Sequence, residues 1–105
     1  MLMISPAAKA DTNLECNYEG SQIEMNECAK RDYREADAAL NKAYYDKLKS
    51  IASSGQREQL VNKQRDWIKR RDARCKFKKD EGSNATINHL TCMQSMTEIR
   101  TLQLR

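Results

Sequence analysis

The sequence predicts an all-α protein: an antiparallel three-helix bundle with a long helical hairpin, stapled by two disulfides. Three observations predict it. Apolar residues recur at steps of three and four, only three glycines and one proline interrupt 105 residues, and four cysteines sit in a chain too short for a large core. A chain of this length holds one domain and one modest core. Charged residues make up 32% and the hydrophobic set 39%, a balance that suits a soluble helical protein with wide polar faces. The periodicity of the apolar residues argues against disorder.

The first ten residues, Met1 to Ala10, differ from the rest. A short apolar stretch, the helix-breaking Pro6 and the small-x-small site Ala8-Lys9-Ala10 read as the tail of a secretory signal, with Asp11 as the mature N-terminus. The apolar run is shorter than a working signal, so the gene is expected to start further upstream; a vector-derived or disordered terminus is the alternative. The expected division is residues 1–10 as signal-peptide remnant or disordered N-terminus and residues 11–105 as a single helical domain. No other stretch is apolar enough to span a bilayer.

The first helix is expected to open at Ser21-Gln22-Ile23-Glu24, a capping box in which a hydroxyl and a carboxylate satisfy each other's orphan amides. Met25, Cys28, Ala29, Tyr33, Ala36, Leu40, Ala43, Tyr44, Leu48 and Ile51 carry the stripe to about Ser53, where Ser53-Ser54-Gly55 supplies the stop and turn. A second helix is expected from about Gln56 to Lys79, with Leu60, Val61, Gln64, Trp67, Ile68, Arg71 and Cys75 on one face. Gly82-Ser83-Asn84 breaks the chain again. The third helix runs from about Thr86 to Leu104 with Ile87, Leu90, Met93, Met96, Ile99 and Leu102 or Leu104 as its apolar face. No strand pattern competes.

Folding the hairpin about Ser54 sets Leu48 beside Leu60, Leu40 near Trp67 and Ile68, and Asp37 facing Arg71. It also gathers Cys16, Cys28, Cys75 and Cys92 at one end. The spacings lack the tight cysteine pair of zinc sites, so disulfides are expected rather than metal or free thiols. Four cysteines permit three connectivities. The favoured one ties Cys16 to Cys28 and Cys75 to Cys92, each bridge contributing roughly 3 kcal/mol in the chain-entropy model.

Gln64 and Arg71 break the apolar stripe of the second helix. A buried arginine needs a partner, and Asp37, Asp72 or Glu98 qualifies. Such residues read either as an internal ion pair fixing helix register or as the mouth of a binding groove. The charge is also segregated. Lys63, Lys69, Arg70, Arg74, Lys76, Lys78 and Lys79, with Arg65 and Arg71, make the second helix basic, while Asp11, Glu15, Glu19, Glu24, Glu27, Asp32, Glu35 and Asp37 make the first helix and its arm acidic. This suits either mutual attraction of neighbouring helices or a basic face for an anionic envelope polymer or lipid headgroup. A nucleic-acid partner is not expected in an exported protein. The lone His89 has no nucleophile beside it and no glycine-rich phosphate loop exists, so neither catalytic residues, cofactor nor metal are expected.

Four stretches carry a family resemblance: Glu24-Met25-Asn26-Glu27-Cys28-Ala29; Ala36 to Tyr44 (ADAALNKAY); Gln64 to Cys75 (QRDWIKRRDARC); and Cys92 followed by Met96-Thr97-Glu98-Ile99-Arg100. In this order, covering nearly all of residues 16–104, they resemble the DUF1311 family, the N-terminal domain of LprI-like lysozyme inhibitors. The resemblance implies a secreted or lipid-anchored helical domain with conserved disulfides and lysozyme, or another envelope protein, as partner. It also implies a set of signature polar positions at Asn26, Asp37, Asn41, Gln64, Arg65, Arg71, Asp72, Thr97 and Arg100. The arm before Asp11 shows no lipid-attachment cysteine, so a soluble periplasmic or secreted form is expected. Without Lys9 the chain carries about +3, which works against encounter with a strongly basic lysozyme unless local acidic patches dock.

Overall fold

The computed structural model describes residues 16–105. The expected signal remnant, its cleavage site and the acidic Asp11 and Glu15 lie outside the described residues. Three α-helices follow one another: α1 (Gln22–Ser50), α2 (Ser54–Arg74) and α3 (Ala85–Leu104), with a 3-10 turn over Lys79–Asn84 leading into α3. Among the described residues there is no strand, and no helix is long and apolar enough to cross a membrane.

The capping box forms as expected. Ser21 Oγ accepts the Glu24 amide at 3.2 Å, and Glu24 Oε1 accepts the Ser21 amide at 2.9 Å. The Glu24 carboxylate folds back over Gly20, where a Cβ would collide with it. The end of α1 differs from the expectation. The helix stops at Ser50 because Ile51 turns extended, and Ser53 does not end α1 but starts α2, its Oγ accepting the Gln56 amide at 3.2 Å. Gly55 therefore lies inside the first turn of α2. A serine hydroxyl at a helix start satisfies an orphan donor, which outweighs the reading of Ser-Ser-Gly as a stop.

The second helix is also shorter than expected, ending at Arg74 rather than Lys79. Beyond Cys75 nothing holds an apolar stripe: Phe77 is exposed, and Lys76, Lys78 and Lys79 repel one another. The break at Gly82 is where it was expected. Its φ of 65° lies in the left-handed region that glycine adopts without strain.

The two expected bridges join Cys16 to Cys28 and Cys75 to Cys92, leaving no free cysteine among the described residues. Cys16–Cys28 ties the arm to α1 and Cys75–Cys92 ties the end of α2 to α3.

The closest pair of helices is α1 with α3. Cys28, Ala29, Ala36, Leu40 and Ala43 are the buried residues of α1, and Ala85, Met93, Thr97, Thr101 and Leu104 those of α3. Alanines spaced seven apart on α1, facing threonines on α3, let the two backbones approach. Asp32, Glu35 and Ala39 border one groove with Gln94, Glu98 and Leu102, so residue numbers climb together and α1 and α3 run in the same direction. The intervening α2 is antiparallel to both and stands further off, filling its gap with longer side chains. Leu40, Ala43, Leu60, Trp67 and Leu104 form the apolar core, with Tyr44, Leu48, Ile51 and Met96 packed against it. The expected meeting of Leu40 and Leu48 with Leu60 and Trp67 is thus present in one cluster.

The buried face of α3 is a correction. Ile99 and Leu102 are 56% and 69% exposed, and Leu104 takes the core position. The face actually buried runs Met93, Thr97, Thr101, Leu104: Met93 and Leu104 belong to the expected stripe, and between them the small Thr97 and Thr101, not Ile99, lie inward where α3 closes on α1. Ile68 is likewise 38% exposed, since the α2 face is set by Leu60, Gln64, Trp67, Arg71 and Cys75.

Candidate functional site

The out-of-pattern polar residues of α2 meet α3 in a buried layer. Arg71 is 8% exposed. Its guanidinium donates to Asp72 Oδ1 through Nε at 3.1 Å and Nη2 at 3.0 Å, and to Thr97 Oγ1 at 3.4 Å. It lies 5.1 Å from the Trp67 ring centre and 6.0 Å from that of Tyr33, within the range of cation–π attraction. One turn away, Arg100 Nε donates to Gln64 Oε1 at 2.9 Å. Thr101 donates its hydroxyl to the Thr97 carbonyl at 2.9 Å. The buried polar groups are therefore partnered, as burial demands. Burial first, and then the Asp37 and Asp72 charges, raise the Tyr33 pKa against the lowering effect of Arg71.

Of the expected signature positions, Gln64, Arg71, Asp72, Thr97 and Arg100 come together here. Of the three carboxylates open to Arg71, it is Asp72, the neighbouring residue, and not Asp37 or Glu98, that takes the guanidinium, because it reaches it without crossing between helices. Asp37 stays half-buried on α1. Asn26 is elsewhere, accepting from Gln22 Nε2 at 3.0 Å, and Asn41 and Arg65 point to solvent. Tyr33 and Thr101 also belong to the layer, although the sequence pattern marks Tyr33 only as part of the apolar stripe of α1 and does not mark Thr101. The alanine stripe of α1 was the available signal for Thr101, since it demands small partners.

Two open grooves flank α3. One, against α1, has Asp32, Glu35 and Glu98 on its walls, Ala36, Ala39 and Leu102 along its length and Arg105 at its C-terminal end, with a volume near 380 Å³. Asp32 is held by Arg31 at 3.0 Å and accepts the Tyr18 hydroxyl, an arrangement that, with burial as the leading cause, pushes the Tyr18 pKa up to about 12. Glu35 and Glu98 have no cation within ion-pair distance among the described residues. The other groove, against α2, carries Arg70 and Arg74 beside Trp67, Met96 and Ile99. Burial, then the nearby positive charge of Arg70, lowers the Arg100 pKa.

The basic residues divide between two elements. Lys63, Lys69, Arg70 and Arg74 lie on α2, whereas Lys76, Lys78 and Lys79 fall in the connection to α3, and all seven are exposed. His89 is structural: its Nδ1 bonds the Cys75 carbonyl, which can only accept, so Nδ1 carries the proton. Asn88 Nδ2 donates to Glu81 at 3.2 Å and pins the 3-10 turn to α3.

The described residues thus form a small helical protein with two cystine bridges, a partnered polar layer and charged grooves. The family model described as lysozyme inhibitor LprI matches residues 15–104, and the chain belongs to this family. It is also similar to an uncharacterized protein of Rhizobium meliloti (strain 1021), 30% identical over 116 aligned residues that cover 96% of this chain and 84% of the relative. No solved structure matches.

Proposed function

We propose that this chain is a periplasmic or secreted binding protein of the cell envelope that inhibits lysozyme-type muramidases and is not itself an enzyme. The observation that carries the reading is the groove between α1 and α3. It sets unneutralised Glu35 and Glu98 beside apolar Leu102, in a member of a family described as lysozyme inhibitors. Free carboxylates around an apolar contact suit a basic enzyme surface. The net charge of +4 opposes long-range attraction, so recognition rests on this local patch. Two disulfides suit an oxidising compartment.

The test is lysozyme activity on cell walls titrated with the oxidised protein. Saturable inhibition is expected, weakened at least tenfold in the Glu35→Lys, Glu98→Lys double variant and lost on reduction of the disulfides. An unchanged rate at saturating protein would sink the reading.

A second reading has its own observation. Lys63, Lys69, Arg70, Arg74, Lys76, Lys78 and Lys79 are exposed, and none pairs with a carboxylate among the described residues. This surface suits an anionic envelope polymer, lipid headgroup or acidic protein partner. Binding to vesicles containing anionic lipid should fall steeply as salt rises; salt-insensitive binding would count against it.

A further inference from the structure

Ile99 and Leu102 stand three residues apart on the solvent face of α3 and form an apolar ridge between the two grooves. One flank of the ridge is acidic at the level of Glu35 and Glu98, with Arg105 below them at the end of α3 and in no ion pair with either. The other is basic, through Arg70 and Arg74. The flanks stand at matching heights: Glu35 borders its groove with Glu98, and Arg70 borders the opposite groove with Ser95, Met96 and Ile99. Among the described residues none of Glu35, Glu98 and Arg70 has an ion-pair partner. The like charges of Arg70 and Arg100 also lie close enough for one to disfavour the other.

A two-fold interface brings the same patch of both copies together. If the axis crosses α3 at right angles, the helices run antiparallel and each acidic flank meets the other acidic flank. If the axis lies along α3, the ridges run parallel, heights are preserved, and each acidic flank meets a basic one. Only the second arrangement neutralises the unpaired groups.

We propose that this face pairs with a second copy of the chain in a parallel two-fold dimer. Ile99 and Leu102 meet across the axis, and Arg70 of each copy lies opposite Glu35 and Glu98 of the other. Two apolar side chains per copy make a small interface, so the association is weak and salt-dependent. The pairing covers the acidic groove. If a muramidase docks there, a consequence that rests on the proposed function, dimer and inhibitory complex exclude each other.

Sedimentation equilibrium of the oxidised full chain at low salt tests the dimer. The mass should climb from 12.2 kDa toward twice that value as concentration rises. Leu102→Glu and Glu98→Arg should each weaken association at least tenfold, and adding Arg70→Glu to Glu98→Arg should restore it. All these side chains are exposed or border open grooves, and circular dichroism confirms that the variants fold. Ile99→Cys and Leu102→Cys should each cross-link to themselves, because in a parallel pair every ridge position faces its own copy. A mass that stays at one chain up to roughly 1 mM, a double variant no tighter than Glu98→Arg alone, or self-cross-linking at only one ridge position would overturn the proposal. None of these readouts depends on lysozyme, so the dimer and the inhibitor reading fail separately.

Discussion

The contact of α1 with α3 and the contact of α2 with its neighbours fill space in opposite ways. Between α1 and α3, one side carries the buried Ala29, Ala36 and Ala43 and the other Met93, Thr97, Thr101 and Leu104, and the backbones close on one another. Around α2 the helices stand apart, and Trp67, Gln64 and Arg71 span the distance with long side chains and hydrogen bonds. Close packing of small residues is intolerant of added volume, because no side chain there can swing aside. A seam of long side chains tolerates rearrangement but depends on its anchor. The second seam also carries a covalent tie, Cys75–Cys92, where α2 ends.

The largest effect should come from removing the anchor. Trp67→Ala takes a 6%-exposed indole out of the core and one face off the Arg71 guanidinium. Loss of buried aromatic volume costs about 3–5 kcal/mol, measurable by urea denaturation. If the cost is below about 1 kcal/mol, α2 is not anchored by this residue.

Adding volume to the other seam should hurt less but be specific to it. Ala36→Leu forces an isopropyl group, three extra carbons, between α1 and α3 and should cost about 1–3 kcal/mol. The same exchange at the exposed Ala38, two residues on and on the opposite side of α1, should be near neutral. Equal effects at both positions would mean that α1 and α3 do not approach as described.

The smallest effect concerns the arm beside the acidic groove. The Tyr18 hydroxyl donates to Asp32 and titrates near 12 in the folded protein against an ordinary 10.0. A raised phenol pKa means that the folded state holds the proton more tightly. Its contribution to stability is therefore fully present below pH 10 and is lost as pH rises toward about 12. The difference in phenolate absorbance between the protein and Tyr18→Phe should show a late-titrating tyrosine. A midpoint near 10 would mean the Asp32 contact does not hold in solution.

Much of this molecule is written locally. Ser21 and Glu24 announce the start of α1, Gly82 announces the break before α3, and the steps Leu60, Gln64, Trp67, Arg71, Cys75 mark the inner face of α2 with its two polar members included. Local patterns are readable because capping, left-handed turns and helical periodicity act between residues a few positions apart. The same local patterns are ambiguous at Ser53 and beyond Cys75. Ser-Ser-Gly fits both a helix stop and a helix cap, and a lysine run carries no stripe that says where burial ends.

The sequence by itself determined an all-helical chain with three helices, cysteines set for two bridges, and polar Gln64 and Arg71 on the inner stripe of α2. The tertiary structure decided which helices lie closest, which acid pairs with Arg71, and that Ile99 and Leu102 face solvent while threonines are buried. Those outcomes depend on the distance between backbones, and that distance is set jointly by side chains on different helices. A hydropathy pattern read along one helix cannot contain it. The placement of Glu35 and Glu98 in one groove and Arg70 in the other follows from the same packing, and with it the surface on which the proposed function rests.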